Sequence, residues 1–306
     1  MRLLITGATG FIGSSLCRKL ASEGNEIICL ARNFETSFVQ EFQNFQFQHI
    51  TCDLSNWNNV KNNLKDIKNV DCVFHLAGKT FQKDLLEPQI YFESNFTGTL
   101  NILEWCRQNK VKKFVYSSSI AVYGVSANQF NPKYLPIDEA HPVLPYDFYD
   151  ASKFYSEQLC DYYHKVFGLQ CIILRYSRVY GTSLKKGIIF KAIENALKND
   201  QIKVLGDISS DFIIINDVVN ANIEAMKKNL NFEIFNIGSG EEVTLRELCS
   251  KIIELTKSTS ELEYHEFPKA RFSLDISKAK KDLDYTPTPL EKGLKECISY
   301  IKNSIK

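Results

Sequence analysis

Charge of either sign is nearly absent as a surplus: 37 Lys and Arg stand against 36 Asp and Glu, a formal net charge of +1. That excludes the basic excess expected of a nucleic-acid binder. Long apolar runs are missing too. None approaches the roughly 18–20 residues of a membrane span, so no membrane association is expected. The first apolar residues lead straight into a glycine turn with no cleavage-like site, which predicts no secretory leader. None of the nine cysteines forms Cys-x-x-Cys. Cys29, Cys72 and Cys171 fall in apolar, strand-like runs and are expected in the core. No disulfide framework is suggested, and a reducing cytoplasm is the expected location. The five histidines lack metal-ligand spacing, so no metal site is predicted. There is no internal repeat or low-complexity tract. What remains, 306 residues of which 44% are hydrophobic and 24% charged, suits a soluble globular protein of one large domain or two smaller ones.

The chain begins with an apolar run, Arg2-Leu3-Leu4-Ile5-Thr6, followed at once by Gly7-Ala8-Thr9-Gly10-Phe11-Ile12-Gly13. Ser14 to Glu23 then reads as helix. Strand, glycine turn and helix in this order are the context of a dinucleotide fingerprint. Gly7 permits the tight turn, Gly10 lets backbone approach a pyrophosphate, and Gly13 lets the helix pack closely. The helix start offers free N–H groups and partial positive charge to phosphates.

Strand and helix patterns alternate through the first half. Strands are predicted at Glu26–Leu30, Gln46–Ile50, Cys72–Leu76, Lys113–Ser117 and Gln170–Arg175, and the clearest helices at Tyr91–Gln108 and Tyr149–Phe167. This alternation predicts an α/β fold with a mostly parallel, doubly wound sheet of the Rossmann type. Beyond Arg175 the pattern changes. Val179–Thr182 reads as loop, about Ile188–Leu197 as helix, Asp211–Ile215 as strand, Val218–Lys227 as helix and Ile234–Ile237 as strand. Pro268, Pro287 and Pro289 punctuate the tail. Residues 1–175 are therefore expected to form the dinucleotide-binding domain, with segments near 211–237 returning to it. Residues 176–306 are expected to form most of a smaller α/β substrate domain over the carboxyl ends of the strands, with the ligand in the cleft.

Tyr149 and Lys153 stand four apart on a predicted helix and so share a face. A free tyrosine, with a pKa near 10, is a poor base, but a nearby cation favours the phenolate. The pair is thus a plausible proton-transfer device. Ser117-Ser118-Ser119 closes a predicted strand, where hydroxyls can face a ligand crevice. Serine, tyrosine and a nicotinamide cofactor together predict hydride transfer to or from a secondary alcohol or ketone.

The chain resembles the extended short-chain dehydrogenase/reductases, also called the NAD-dependent epimerase/dehydratase family. The resemblance runs over almost the whole length. It is carried by Thr6–Gly13, Asp53-Leu54, His75-Leu76-Ala77-Gly78, Asn95 to Thr99, Ser117 to Gly124 and Tyr149-x-x-x-Lys153. Val179-Tyr180-Gly181, Asp211-Phe212-Ile213, Asn236 to Gly240 and Asp275 to Lys278 complete it. It implies a seven-stranded Rossmann sheet with a small C-terminal substrate domain, and a homodimer formed through two long helices near 91–108 and 149–167. It makes Ser119 the catalytic hydroxyl and Tyr149 the acid/base. Lys153 would lower the pKa of Tyr149 and hold the nicotinamide ribose, while Asp53 would bind the adenine amino group. Gly7, Thr9, Gly10, Phe11, Ile12, Gly13, Leu54, Leu76, Ala77, Gly78 and Asn95 are the further cofactor positions. Lys79, Ser119, Tyr149, Arg178 and Arg271 are the substrate positions, and a nucleotide sugar is the implied substrate.

Several positions depart from the family pattern. Ala31 occupies the site of the acidic residue usual for NAD, and Arg32 follows it; an arginine there can accommodate a 2′-phosphate. NADP(H) is therefore expected over NAD(H). In the substrate half, Ser210 replaces an arginine that often contacts a substrate phosphate, Arg178 replaces asparagine, and Thr182 replaces proline. Losing an arginine removes a bidentate clamp. Arg178, Lys185, Lys186 or Arg271 could restore its charge, although each also suits a solvated surface. Ile120 and Ala121 follow Ser119 where the family's dehydratases carry an acidic pair, which disfavours water elimination.

The leading expectation is a nucleotide-sugar oxidoreductase acting at C4 of a hexose. Arg32 tilts it towards a 4-ketoreductase. The alternative is a 4-epimerase that retains NAD, resembling UDP-glucose 4-epimerase. A reductase of a non-nucleotide ketone is a second alternative, motivated by Ser210 and Arg178. A sensor or scaffold is disfavoured, because serine, tyrosine and lysine are all present.

Overall fold

The computed structural model describes residues 1–80, 87–125, 130–184, 186–206, 208–266 and 270–305. Lys185 and Pro268, singled out above, lie outside them. The chain divides into two compact units. Unit 1 comprises Met1–Ser126, Val143–Arg175 and Val219–Phe235. Unit 2 comprises Ala127–Pro142, Tyr176–Val218 and Asn236–Lys306.

The first 176 residues lay down six strands: β1 (Arg2–Thr6), β2 (Glu26–Ala31), β3 (Phe47–Thr51), β4 (Cys72–His75), β5 (Lys113–Ser119) and β6 (Gln170–Tyr176). Short strands follow: β7 (Arg178–Tyr180), β8 (Ile202–Leu205), β9 (Ser209–Ser210) and β10 (Phe212–Ile214). β11 (Phe232–Ile237) then joins the main sheet, whose order is β11-β6-β5-β4-β1-β2-β3. The pairs of β1 with β2 and β4, of β2 with β3, and of β4 with β5 are parallel. The strand order reverses beside β1, which creates the switch point at which such sheets bind ligands.

Near-continuous apolar runs suit strands covered on both faces. Leu3, Leu4 and Ile5 of β1, and Ile172, Ile173 and Leu174 of β6, are wholly buried. The helices cover them with one apolar stripe each: α1 (Phe11–Ser22) buries Leu16, Cys17 and Leu20. Short α2 (Thr36–Glu41), α3 (Trp57–Asn63) and α4 (Pro88–Tyr91) follow. The helix expected over Tyr91–Gln108 is α4, a π-helical turn at Phe92–Thr97 and α5 (Gly98–Gln108) in succession. Periodicity does not register the wider turn because the apolar stripe continues through it. The long α6 (Phe148–Phe167) starts at Asp147, whose carboxylate accepts from the Asp150 amide. All nine cysteines are free and buried.

In unit 2, β7 pairs with β10 in parallel, β8 with β13 (Leu262–His265) in parallel, and β9 with β12 (Val243–Thr244) antiparallel. Val179 and Tyr180, expected as part of a loop over Val179–Thr182, are therefore strand, because their pairing partners stand 34 residues later in the chain. Two late motifs meet here. The buried Asp211 carboxylate accepts from the amides of Ser239 at 2.7 Å and Gly240 at 2.8 Å. A Cβ at Gly238 would stand 2.7 Å from the same carboxylate, so only glycine fits.

Candidate active site

The glycine turn after β1 is shaped by three close approaches. Gly7 has φ +68°, a left-handed conformation that favours glycine. A Cβ there would lie 2.7 Å from the Ala77 nitrogen. Gly13, in the first turn of α1, abuts the Gly7 carbonyl, and any side chain would run into it. α1 starts at Gly10 without a side-chain cap, leaving its first amides free.

A cavity of about 620 Å³ opens beside this turn in unit 1. Gly7, Thr9, Gly10, Arg32, Asp53, Leu54, Leu76, Ala77 and Gly78 all line it, nine of the expected cofactor positions. Phe11, Ile12 and Gly13 do not; they form the first turn of α1 behind the wall. Asp53 is fixed by Ser55, whose amide and hydroxyl both donate to Oδ1. Asn101 Nδ2 donates to the Leu54 carbonyl and holds the neighbouring backbone. Arg32 is exposed at the wall while Ala31 is buried. Asn33, Ser55, Ile90, Glu93 and Ser94 also line the cavity; no motif pointed to them. Lys79, expected to touch substrate, lines this cavity as well.

Asn95 is buried and stands away from the cavity wall. From the π-helical turn it accepts from the Lys79 amide at 2.6 Å and donates to the Lys79 carbonyl at 3.1 Å. It also donates to Ser152 Oγ at 2.8 Å, and Ser152 donates to the Tyr149 carbonyl. One asparagine thus ties the loop after β4 to the start of α6. Ser152 carries no sequence signal of its own.

His75 completes a buried chain. Its Nδ1 lies 2.7 Å from Thr6 Oγ1 and its Nε2 2.9 Å from Thr99 Oγ1. Thr99 donates to the Asn95 carbonyl, so it accepts from Nε2–H, and Nδ1 accepts from Thr6. Thr6 in turn accepts from the Ala77 amide at 3.1 Å. Burial, assisted by the charge of Lys153, pushes the His75 pKa down to about 3 and keeps the ring neutral.

Ser119 ends β5 and its hydroxyl oxygen accepts from the Ala121 amide at 3.1 Å. Ser119 also lies near enough to the Tyr149 phenol to oppose the rise in its pKa. The Tyr149 ring packs edge-on against Tyr91, with centroids 6.2 Å apart. Lys153 is buried and donates to the Ser117 carbonyl at 2.8 Å. A Cβ on Gly78 would lie 3.5 Å from Lys153 Nζ, which sets the ammonium beside the cavity wall. Burial pulls the Lys153 pKa down to about 8, offset in part by Glu157.

The Tyr149 pKa is set chiefly by burial. Burial pushes the phenol up to about 12, with Asp150 and Asp147 adding to the rise and Ser119 opposing it. The Lys153 ammonium donates to the Ser117 carbonyl.

Ser118 is structural. It donates to Glu157, which forms a buried ion pair with Arg175 at 2.7 Å. Arg175 also donates to the Tyr123 hydroxyl at 2.9 Å. Helical periodicity identifies neither Glu157 nor Arg175 as partners, because they lie 18 residues apart on different elements.

Unit 2 holds a separate cavity of about 180 Å³, lined by Arg178, Tyr180, Phe190, Phe212 and neighbouring residues. Arg271 is exposed and engaged by Glu242 through two bonds of 2.7 and 2.8 Å. Among the described residues no cluster of His, Cys, Asp or Glu could hold a metal ion, and no helix is long and apolar enough to cross a membrane.

Comparison with known proteins agrees with this geometry. The NAD dependent epimerase/dehydratase family matches residues 3–238. The UDP-glucuronate 4-epimerase of Thermodesulfobacterium geofontis is 31% identical, over 99% of this chain and 97% of its own length. The structure of a UDP-glucose 4-epimerase from Thermotoga maritima with UDP-glucose superposes with a TM-score of 0.88 at 27% identity, covering 100% of both chains. That of a UDP-glucuronic acid 4-epimerase from Bacillus cereus in complex with NAD gives 0.85 at 28% identity, again covering 100% of both. A whole-length match on this sheet and this motif order makes the chain an enzyme of the extended short-chain dehydrogenase/reductase type, a member of the NAD dependent epimerase/dehydratase family.

Proposed function

We propose that the protein is a 4-epimerase of a UDP-linked hexose or hexuronate that keeps NAD bound through its cycle. The observation that carries this reading is the grouping of Ser119, near enough to the Tyr149 phenol to oppose the rise in its pKa, with Lys153 on the same helix as the tyrosine. It lies on the same unit as the glycine-walled cavity, with Lys153 beside Gly78. The cavity suits a dinucleotide: Gly7, Gly10 and Gly78 line it with backbone and no side chain. Gly7, Thr9 and Gly10 would take the pyrophosphate, Asp53 and Leu54 the adenine end, and Lys153 the nicotinamide ribose. When bound, the nicotinamide supplies the hydride acceptor and donor and, oxidised, a positive charge.

The chain's own residues handle the proton. Ser119 orients the C4 oxygen of the sugar, and Tyr149 takes its proton and later returns one. A phenol near 12 stays protonated at neutral pH and forms its basic phenolate rarely, so the neighbouring Ser119 and an added positive charge both work in the direction that turnover needs.

The 4-ketoreductase reading rested on Arg32, and so did NADP(H). Arg32 lines the cavity, but the NAD-bound neighbour and the 4-epimerase relatives support NAD and epimerisation instead. We also propose a cytoplasmic homodimer. Exposed Phe148, Tyr155, Tyr162 and Val166 make a stripe along α6, at spacings of seven, seven and four, which supports pairing through that helix.

The test is direct. Purified enzyme, without added cofactor, is incubated separately with UDP-glucose and UDP-glucuronate, and the sugars are followed by proton NMR. Conversion to the C4 epimer, and NAD in the supernatant of denatured protein, are the expected results. Loose NADPH binding with consumption of a 4-keto sugar would restore the reductase.

A further inference from the structure

Arg178 and Phe212 stand opposite each other in the parallel β7–β10 pair of unit 2. Arg178 Nε donates to Ser210 Oγ at 2.6 Å. Among the described residues this is the guanidinium's only acceptor, so both terminal nitrogens keep their donors. Arg178 is exposed on β7; protein packed against its head group still disfavours the charge, and no carboxylate among the described residues offsets that effect. Both Arg178 and Phe212 line the 180 Å³ cavity, whose other walls include Phe190, Ile189 and Ile193. Its lining holds no acidic residue; Lys186 is the second cation.

An oriented, uncompensated guanidinium over an apolar cavity fits a ligand with an oxyanion at one end and a planar, weakly polar group at the other. A nucleoside diphosphate has that chemistry, and two parallel N–H donors match two oxygens of one phosphate. The rival cations are less suited. Arg271 is neutralised by Glu242. Lys186, exposed like Arg178, offers a flexible point charge without a fixed fork.

We propose that Arg178, set in place by Ser210, is the diphosphate-selecting residue of the substrate site. The family pattern puts asparagine at position 178 and arginine at position 210; in this chain the charge sits at 178 and reaches the neighbourhood of 210 through the Nε–Oγ bond. The inference rests on the nucleotide-sugar reading above and names the residue that grips its phosphates.

Calorimetric titration of the full-length protein with UDP, UMP and uridine tests it. Arg178→Ala should weaken UDP binding about 10- to 100-fold, in the range of a charge-assisted hydrogen-bonded contact, and leave uridine unchanged. Arg178→Lys should recover only part of the loss, and Ser210→Ala should show a smaller loss than Arg178→Ala. The exchange variant Arg178→Asn/Ser210→Arg should regain UDP over uridine selectivity. Melting curves without ligand show that each variant is folded. Unchanged UDP affinity in folded Arg178→Ala, with the parent binding UDP, overturns the clamp alone. A parent protein that binds neither UDP nor UDP-sugars overturns the nucleotide-sugar reading with it.

Discussion

The Lys153 ammonium donates to the Ser117 carbonyl at 2.8 Å, joining α6 to the last turn of β5. The contact places the lysine 5.1 Å over the Tyr116 ring and beside Gly78. Burial dominates the Tyr149 pKa and pushes the phenol up to about 12.

Tyr149→Phe removes one buried hydroxyl that neighbours Ser119. Turnover should fall by about 10²–10⁴, the usual worth of a positioned acid/base. Melting temperature and NAD content should hold. Turnover within threefold of the parent would falsify the acid/base assignment.

Glu157→Gln leaves Arg175 charged and buried without its partner. Both side chains are nearly inaccessible, at 4% and 1%, so the loss should be about 3–5 kcal/mol in urea unfolding. Epimerase activity per folded molecule should change little. A loss below 1 kcal/mol would mean that the pair carries no net stability.

His75 is neutral when folded, with a pKa near 3 against 6.5 for the free side chain. Between those values the unfolded chain binds more protons, so stability falls as pH drops below about 6.5. The slope approaches at most about 1.4 kcal/mol per pH unit. Urea titrations from pH 7.5 to 4 should show it, and His75→Gln should flatten it. An identical acid slope in parent and variant would remove His75 as its source.

Gly13→Ala drives a methyl group into the Gly7 carbonyl. Stability should drop by about 1–3 kcal/mol from overpacking, and retained NAD should fall with it, because Gly7 lines the cavity. Full NAD content in a variant of parental stability would show that the turn can shift freely.

Much of unit 1 was legible in the chain. Strands β2 to β6 fall within about two residues of their expected ends, because buried apolar runs bounded by polar segments are local signals. Tyr149 and Lys153 were legible as helix neighbours, since i and i+4 geometry needs no tertiary contact. Val179 and Tyr180 read as loop in the chain, because a three-residue edge becomes a strand only when β10 pairs with it. Asn95 was recognised by motif, but its clamp on Lys79 and Ser152 was not.

Local order thus belongs to the sequence: the glycine turn, the strand and helix alternation and the tyrosine–lysine face follow from periodicity and from glycine's missing Cβ. The chemistry of the site belongs to the tertiary structure. Ser119 meets Tyr149 across 30 residues, Thr6 meets His75 across 69, and Arg178 meets Ser210 across 32. Such pairs depend on which elements the sheet brings together, and pKa values depend on how fully the packed chain excludes water around each group.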